Sequence, residues 1–241
     1  MKTLNELVDH MKKFKDAVII IGNEVNSYKY NYTPEEFNER YNRKKLKREP
    51  EKLMEFYGDK LLTDIDNNNI YKLISGIDYS LIVNQNINGP VMENVFNIHG
   101  NINTYYCTKC KTLFTSDYVE FDNKFSTECE ACGGQIRPSV LLAGERYDQA
   151  SFDNLKEQII NCHTLMLIGM DYSELPLLEL IAQYGDIKSQ VNAQGNEEDT
   201  KVLVSIQSKE QEFDPNDISF FEFLVKDDIE SALKRFIEVY N

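Results

Sequence analysis

Val95-Phe96-Asn97-Ile98-His99-Gly100 ends a short, β-branched run on a histidine and a glycine, and Cys107-Thr108-Lys109-Cys110 and Cys129-Glu130-Ala131-Cys132 follow it. The two Cys-x-x-Cys pairs stand 18 residues apart, which is the ligand spacing of a two-knuckle zinc site. Four thiolates complete a tetrahedral Zn²⁺ shell and leave no open position for water, so Cys107, Cys110, Cys129 and Cys132 are expected to hold a structural rather than a catalytic metal. Gly133 and Gly134 follow at once and offer the turn a knuckle needs. A redox dithiol is the competing reading of either pair alone, and two pairs in a segment with no apolar pattern of its own favour metal.

On either side of this segment the pattern is regular. Apolar, β-branched runs occur at Ala17–Ile21, Ser80–Val83, Val95–Ile98, Thr164–Ile168 and Val202–Ile206, mostly without alternation, as in strands buried on both faces. Between them lie helix-period segments at Leu4–Phe14, Pro34–Leu46, Glu51–Leu62, Ile70–Ile74, Phe152–Ile160, Leu175–Tyr184 and Ile229–Tyr240. Alternating strand and helix predicts an α/β fold with a doubly wound parallel sheet. The alternation breaks only between Tyr105 and Arg137. Residues 105–136 are therefore expected to form a small inserted zinc module, and residues 1–104 with 137–241 the main domain. The polar stretch Gln190–Thr200 is expected to be an exposed loop.

Forty acidic against 26 basic residues give a formal charge of −14, which disfavours nucleic acid and anionic membrane and favours positively charged partners. No run of 18 apolar residues occurs, and five cysteines are few for a disulfide scaffold, so a soluble cytoplasmic protein is expected. Cys162, outside the pairs, reads as a small buried residue. Arg40–Arg48 concentrates six basic residues and reads as a solvated helix face, with a docking patch as the alternative.

With the zinc pairs placed, the flanking residues take on a meaning. Asn84-Gln85-Asn86-Ile87-Asn88-Gly89, Asn97-Ile98-His99-Gly100, the cysteine pairs, Arg137-Pro138 and Gly144-Glu145 resemble, in order and spacing, the motifs of the Sir2 (sirtuin) family. The likeness is specific over about Leu81 to Glu145 and thins outside it. It implies a Rossmann-like sheet, NAD as co-substrate, and an acylated-lysine protein or peptide as the partner. Sirtuins use NAD to remove acyl groups from lysine, and some transfer ADP-ribose instead.

Carried over by position, the resemblance makes His99 the base that takes a proton from a ribose hydroxyl. Imidazole suits that task because it is largely neutral near pH 7. Gln85 and Asn86 match positions that hydrogen-bond the nicotinamide ribose and order the site, and Asn88 stands where the family has an aspartate. Val140, Leu141, Leu142, Ala143, Gly144 and Glu145 match the loop beside which a substrate adds its own backbone as a strand. Ala143 replaces a usual aromatic there, which favours acyl groups longer than acetyl.

Three other positions depart from the pattern. The family's phosphate loop reads Gly-Ala-Gly-Ser and is followed by Pro-Asp-Phe-Arg; here Gly22-Asn23-Glu24 occupies the loop and no such element follows. A side chain at the second glycine obstructs close approach to a pyrophosphate, and a carboxylate repels it. Gly169-Met170-Asp171 replaces a cofactor-contacting Gly-Thr-Ser, and Ile206-Gln207 replaces an Ile-Asn pair near the ribose. The expectation is an NAD-dependent lysine deacylase. The alternatives are a catalytically silent sirtuin-like domain that binds a peptide or nucleotide, and an ADP-ribosyltransferase.

Overall fold

A computed structural model describes residues 3–25, 42–55, 68–87, 89–115, 120–121, 124–125, 127–170, 175–209 and 220–241. Asn88 and Asp171 lie outside the described residues, as do residues 34–41 and 56–62 of two expected helices.

Helix α1, Leu4–Phe14, opens on a capping box in which Thr3 and Glu6 satisfy each other's backbone N–H groups, and it turns Leu7, Val8 and Met11 inward. Strand β1, Ala17–Ile21, is five apolar residues, all buried. Alternate side chains leave opposite faces of a strand. Accordingly Ala17, Ile19 and Ile21 join one core while Val18 and Ile20 join another.

Helix α2, Arg43–Arg48, carries basic residues on its outer face, with Leu46 buried and Lys45 paired to Glu49 at 3.3 Å. Residues 50–55 are also helical. Helix α3, Asn68–Ile74, then leads into β2, Tyr79–Asn84, and β3, Val95–Asn97. After these come β4, Gly100–Cys107; β5, Leu113–Thr115; β6, Glu120–Phe121; β7, Lys124–Phe125; and β8, Ile136–Val140. The remaining elements are α4, Gln149–Asn161; β9, Thr164–Ile168; α5, Leu175–Ala193; β10, Val202–Gln207; β11, Phe223–Lys226; and α6, Ile229–Tyr240.

The main sheet runs β11-β10-β9-β1-β2-β3 and is parallel throughout. The chain starts in the middle with β1, walks out to β3, then returns to the other side of β1 and walks out again to β11. Helices α1, α3 and α6 cover one face and α4 and α5 the other, so the sheet is doubly wound as the pattern predicts. Cys162 is buried in the second core. Strand order reverses between β1 and β9, and in such sheets a ligand crevice opens at the carboxyl ends of the two strands that flank the reversal.

Two elements differ from the sequence reading. β11 was not anticipated: it is a four-residue edge strand, partly exposed, shorter than β9 and β10. α5 continues through Ala193 into the stretch expected to be loop, because Gln190 and its neighbours lie on the exposed face and Asn192 ties the helix end to Lys201. Among the described residues no helix is long and apolar enough to cross a membrane.

A second, antiparallel sheet, β5-β4-β8, carries the cysteine segment. It grows directly from the main sheet, since β4 begins at Gly100, three residues after β3 ends. Gly100 makes that sharp turn with φ +79°, and a Cβ there would stand 1.8 Å from the Ser139 carbonyl oxygen.

Candidate functional site

The four thiols converge. Their sulfur atoms all lie within 4.8 Å of one another, with Cys107–Cys132 at 3.5 Å and Cys110–Cys129 at 3.8 Å. A tetrahedral site with Zn–S bonds of about 2.3 Å places its sulfurs about 3.8 Å apart, so the cluster has the size the ion requires. Each knuckle is a tight turn: the Lys111 N–H bonds the Cys107 carbonyl, and the Gly133 N–H, at φ +63°, bonds that of Cys129. Four thiols in so small a volume cannot all ionise alone. The Thr112 hydroxyl and N–H bring Cys110 down to about 6, whereas burial pushes Cys132 up to about 11. A divalent cation removes that conflict by stabilising every thiolate at once. Cys107 and Cys129, with Met54, Tyr105 and Ile136, are themselves the buried core of this segment.

Beyond β2 the chain is organised around Asn84, which is fully buried. Its Oδ1 accepts from the Tyr71 hydroxyl at 2.8 Å and the Asn86 N–H at 3.1 Å, and its Nδ2 donates to the Asn86 carbonyl at 2.7 Å and to Asn97 Oδ1 at 2.6 Å. Burial holds the Tyr71 phenol well above its ordinary pKa, so it stays a donor. Asn86 Nδ2 reaches across to the Gly22 carbonyl at 3.0 Å. One amide thus fixes the loop that carries Gln85 and Asn86 against β1, and fixes Asn97 two residues ahead of His99. Neither Asn84 nor Tyr71 was assigned a role from sequence; Tyr71 lies 13 residues away with no local signal.

Gln85 is 1 % exposed, and neither its Oε1 nor its Nε2 has a hydrogen-bond partner. Leaving both ends of a buried amide unmade costs several kcal/mol, on the order of 1–3 per group. Such a side chain, at the carboxyl end of a central strand, fits a ligand that both donates and accepts.

His99 is half-buried where β3 turns into β4, its ring centroid 6.0 Å from that of Tyr147 and its carbonyl accepting the Leu141 N–H at 2.8 Å. Its neighbours Ile98 and Gly100 line an open cleft of about 780 Å³ together with Val140, Leu141, Gly144 and Tyr147. The structure therefore brings the histidine and the expected substrate loop together, and adds Tyr147, which the sequence reading did not single out. Within that loop Leu142 is buried against Leu46, Leu53 and Ile102, and the Ala143 backbone bridges Asn42.

The loop is held closed by Arg137. Its guanidinium, 4 % exposed, grips Glu145 through two bonds of 2.6 and 2.9 Å and donates to the Val140 carbonyl at 2.6 Å. Glu145 also accepts the Leu142 N–H at 2.9 Å. Burial raises the Glu145 carboxyl, but the bonds from Arg137 and Leu142 and the charges of Arg137 and Arg43 outweigh it and leave the group below its ordinary value. Arg137→Met strands this carboxylate and is expected to cost about 3–5 kcal/mol in urea unfolding at neutral pH. Because the folded-state pKa is depressed, the pair stabilises above the unfolded value of about 4.3 and its contribution fades as pH falls through the folded value. The gap between wild type and variant therefore narrows in acid; a gap constant with pH would refute the assignment.

The crevice between β1 and β9 is tighter than the sequence suggests. Gly22 packs on the backbone of Gly169 and Met170 so closely that a Cβ would stand 2.2 Å from the Gly169 oxygen. Four backbone donors here are already used: Gly22 N–H on Ile168, Glu24 N–H on Gly169, Gly169 N–H on Ile206, and Met170 N–H on Gln207 Oε1 at 2.9 Å. Met170 and Ile206 bury their side chains in the two cores, and Gln207 Nε2 is held by Ser205. Asn23, Glu24 and Val25 form a single 3₁₀ turn. Glu24 Oε2 is buried there without a hydrogen-bond partner.

The Sir2 family model matches residues 6–175. A Staphylococcus aureus NAD-dependent protein deacetylase is 29 % identical over 149 residues, spanning 58 % of this chain and 60 % of that protein. One from Clostridium acetobutylicum is 29 % identical over 175 residues, spanning 67 % and 71 %. The solved structure of a Sir2–p53 peptide–NAD⁺ complex superposes with a TM-score of 0.72 at 18 % identity, covering 98 % of both chains, which establishes likeness of fold. With the family model matching well over half of the sequence, the chain belongs to the Sir2 family.

Proposed function

We propose that this chain is an NAD-dependent protein lysine deacylase acting on acylated-lysine peptides, with a structural Zn²⁺ held by Cys107, Cys110, Cys129 and Cys132. The observation that carries the reading is Gln85, whose buried and unpartnered amide faces a need that a ribose, donor and acceptor together, would meet. NAD supplies the activated ribose to which an acyl group can pass while nicotinamide leaves. His99 would accept a proton from a ribose hydroxyl, its ring steadied beside Tyr147. Asn86, fixed by Asn84 and Gly22, would keep the ribose loop in register. Gly169, Met170 and Gln207 hold the positions that the resemblance puts on the β9 side of the cofactor; Asn88 and Asp171, assigned with them, lie outside the described residues. The Val140–Glu145 loop, closed by Arg137, would offer its backbone to an extended peptide. Ala143, standing where the family usually has an aromatic, would favour acyl chains longer than acetyl.

The test is nicotinamide release from NAD in the presence of acetyl, succinyl and longer acyl peptides. His99→Ala is expected to lower the rate about 10²–10⁴-fold with the fold retained, as loss of a general base does. A variant as active as wild type would remove His99 from the chemistry.

A second reading, a silent domain that binds peptide alone, is favoured by the internally bonded N–H groups around Gly22 and Gly169. NAD at 100 times its dissociation constant adds ~2.7 kcal/mol to the stability of a protein that binds it. No rise in melting temperature at saturating NAD would favour the silent domain.

A further inference from the structure

The basic helix α2 is tied to the expected substrate loop. Asn42 caps it by accepting the Lys44 and Lys45 N–H groups at 2.9 and 3.1 Å and forms a β-bridge with Ala143, while Leu46 packs in the cluster that holds Val140 and Leu142. These ties bring Arg43 into the lining of the cleft of about 780 Å³ that the neighbours of His99 border. Arg146, from the loop before α4, lines it as well. On the zinc side Lys111 stands with its Nζ 5.5 Å from the ring of Tyr106, another lining residue. Three cations from three separate elements thus converge on one opening, in a chain whose formal charge is −14.

The acids of the cleft are already engaged. Glu145 is gripped by Arg137 and the Leu142 N–H, and Asp148 Oδ2 caps α4 by accepting the Ser151 N–H and hydroxyl at 2.9 and 2.8 Å. The cations are not. Arg43 only approaches Glu145, at 3.7 Å and with 71 % of its side chain exposed, and so keeps its guanidinium donors for a ligand. Arg146 is exposed and makes no hydrogen bond or ion pair among the described residues.

We infer that the cleft selects acyl-lysine peptides in which the residues beside the acyl-lysine are Asp or Glu. This preference rests on the deacylase reading, which puts a peptide beside the Val140–Glu145 loop. An extended peptide there turns every second flanking side chain toward the same rim. Arginine meets a carboxylate with paired N–H donors, a geometry that a neutral or basic side chain cannot return. The charge of the whole chain favours cationic partners, but acids more than a Debye length away are largely screened, and the side chains at the cleft set the local preference. The same acids count against a nucleic acid, whose charge runs on beyond the basic patch.

The experiment uses the zinc-loaded full chain and one labelled acyl-lysine peptide in three versions, with glutamate, serine or lysine at the flanking positions. Fluorescence anisotropy reads binding, and nicotinamide release from NAD reads turnover. At low salt the glutamate version is expected to bind wild type about tenfold more tightly than the serine version, since each exposed charge contact is worth up to about fivefold. The ratio should shrink as sodium chloride is raised. Arg146→Glu should lower it, and Arg43→Glu with Arg146→Glu should turn the preference toward lysine. Arg43→Gln replaces Arg43→Glu if the new carboxylate beside Glu145 loosens the loop. Lys72→Glu, exposed on α3 across the sheet, changes the net charge as Arg146→Glu does and should keep the wild-type order. Equal affinity of wild type for all versions overturns the inference, as does a preference that Lys72→Glu erases as fully as Arg146→Glu. A single-stranded oligonucleotide that displaces the glutamate peptide at equal charge concentration overturns the peptide as occupant. If the glutamate preference holds but no version releases nicotinamide, the deacylase reading falls and the acidic-peptide site stands; if no version binds, the site falls whatever the turnover.

Discussion

Cys129→Ser is expected to abolish zinc binding and to unfold the cysteine segment. A hydroxyl is a poor substitute for a thiolate, and Cys129 is 1 % exposed at the centre of the cluster, so no water-filled shell can compensate. Structural zinc contributes about 10–16 kcal/mol in comparable small sites, more than a short segment can otherwise gather. Here two of the five buried residues of the local core, Cys107 and Cys129, are cysteines of the cluster, so losing the metal removes packing and cross-link together. The damage travels, because β4 begins beside His99 and β8 ends where the Val140–Glu145 loop starts. Zinc per chain should fall from one to none by metal analysis, residues 105–136 should become the first site of proteolysis, and a chelator should reproduce both in wild type. A Cys129→Ser chain with full zinc and an unchanged melting curve would defeat the assignment.

Gly22→Ala should prevent the folded state from accumulating. The added methyl would meet the Gly169 oxygen and the Met170 Cα at 2.2 Å, backbone atoms that cannot swing away as a side chain can. Relief requires β1 and β9 to part at their carboxyl ends, breaking Gly22 N–H to Ile168 and Glu24 N–H to Gly169, both 2.9 Å, in the most buried part of the sheet. The expected cost exceeds about 5 kcal/mol, beyond the range of ordinary point substitutions. Gly185→Ala is the internal control: it lies in α5, its Cβ would meet only Phe220 at 3.6 Å, and it should stabilise by up to about 1 kcal/mol. Soluble yield and urea midpoints of the two variants decide the matter. Near-wild-type stability of Gly22→Ala would mean the crevice is looser than described.

Gly22 also marks where reading by resemblance stops being sufficient. In the sequence it opens a phosphate-loop motif; in the folded protein its missing side chain is what lets the end of β1 pack on the turn after β9. Met170 and Gln207 teach the same lesson: both stand at cofactor positions by order, yet one packs in the core and the other spends its amide on Met170 N–H and Ser205. Arg137 and Glu145 were legible as motif residues but not as partners of each other.

By itself the sequence determined the α/β alternation and the grouping of the four paired cysteines into one cluster. These depend on hydrophobic period and ligand spacing, which are local properties repeated along the chain. Only the tertiary structure decided the edge strand β11, the Tyr71–Asn84–Asn97 network, the closed Arg137 loop, and which polar groups at the crevice are spent or left over. The reason is that a hydrogen bond's fate depends on what the fold brings opposite it, often more than a hundred residues away, as Gly22 and Ile168 are, and no local pattern encodes that partner.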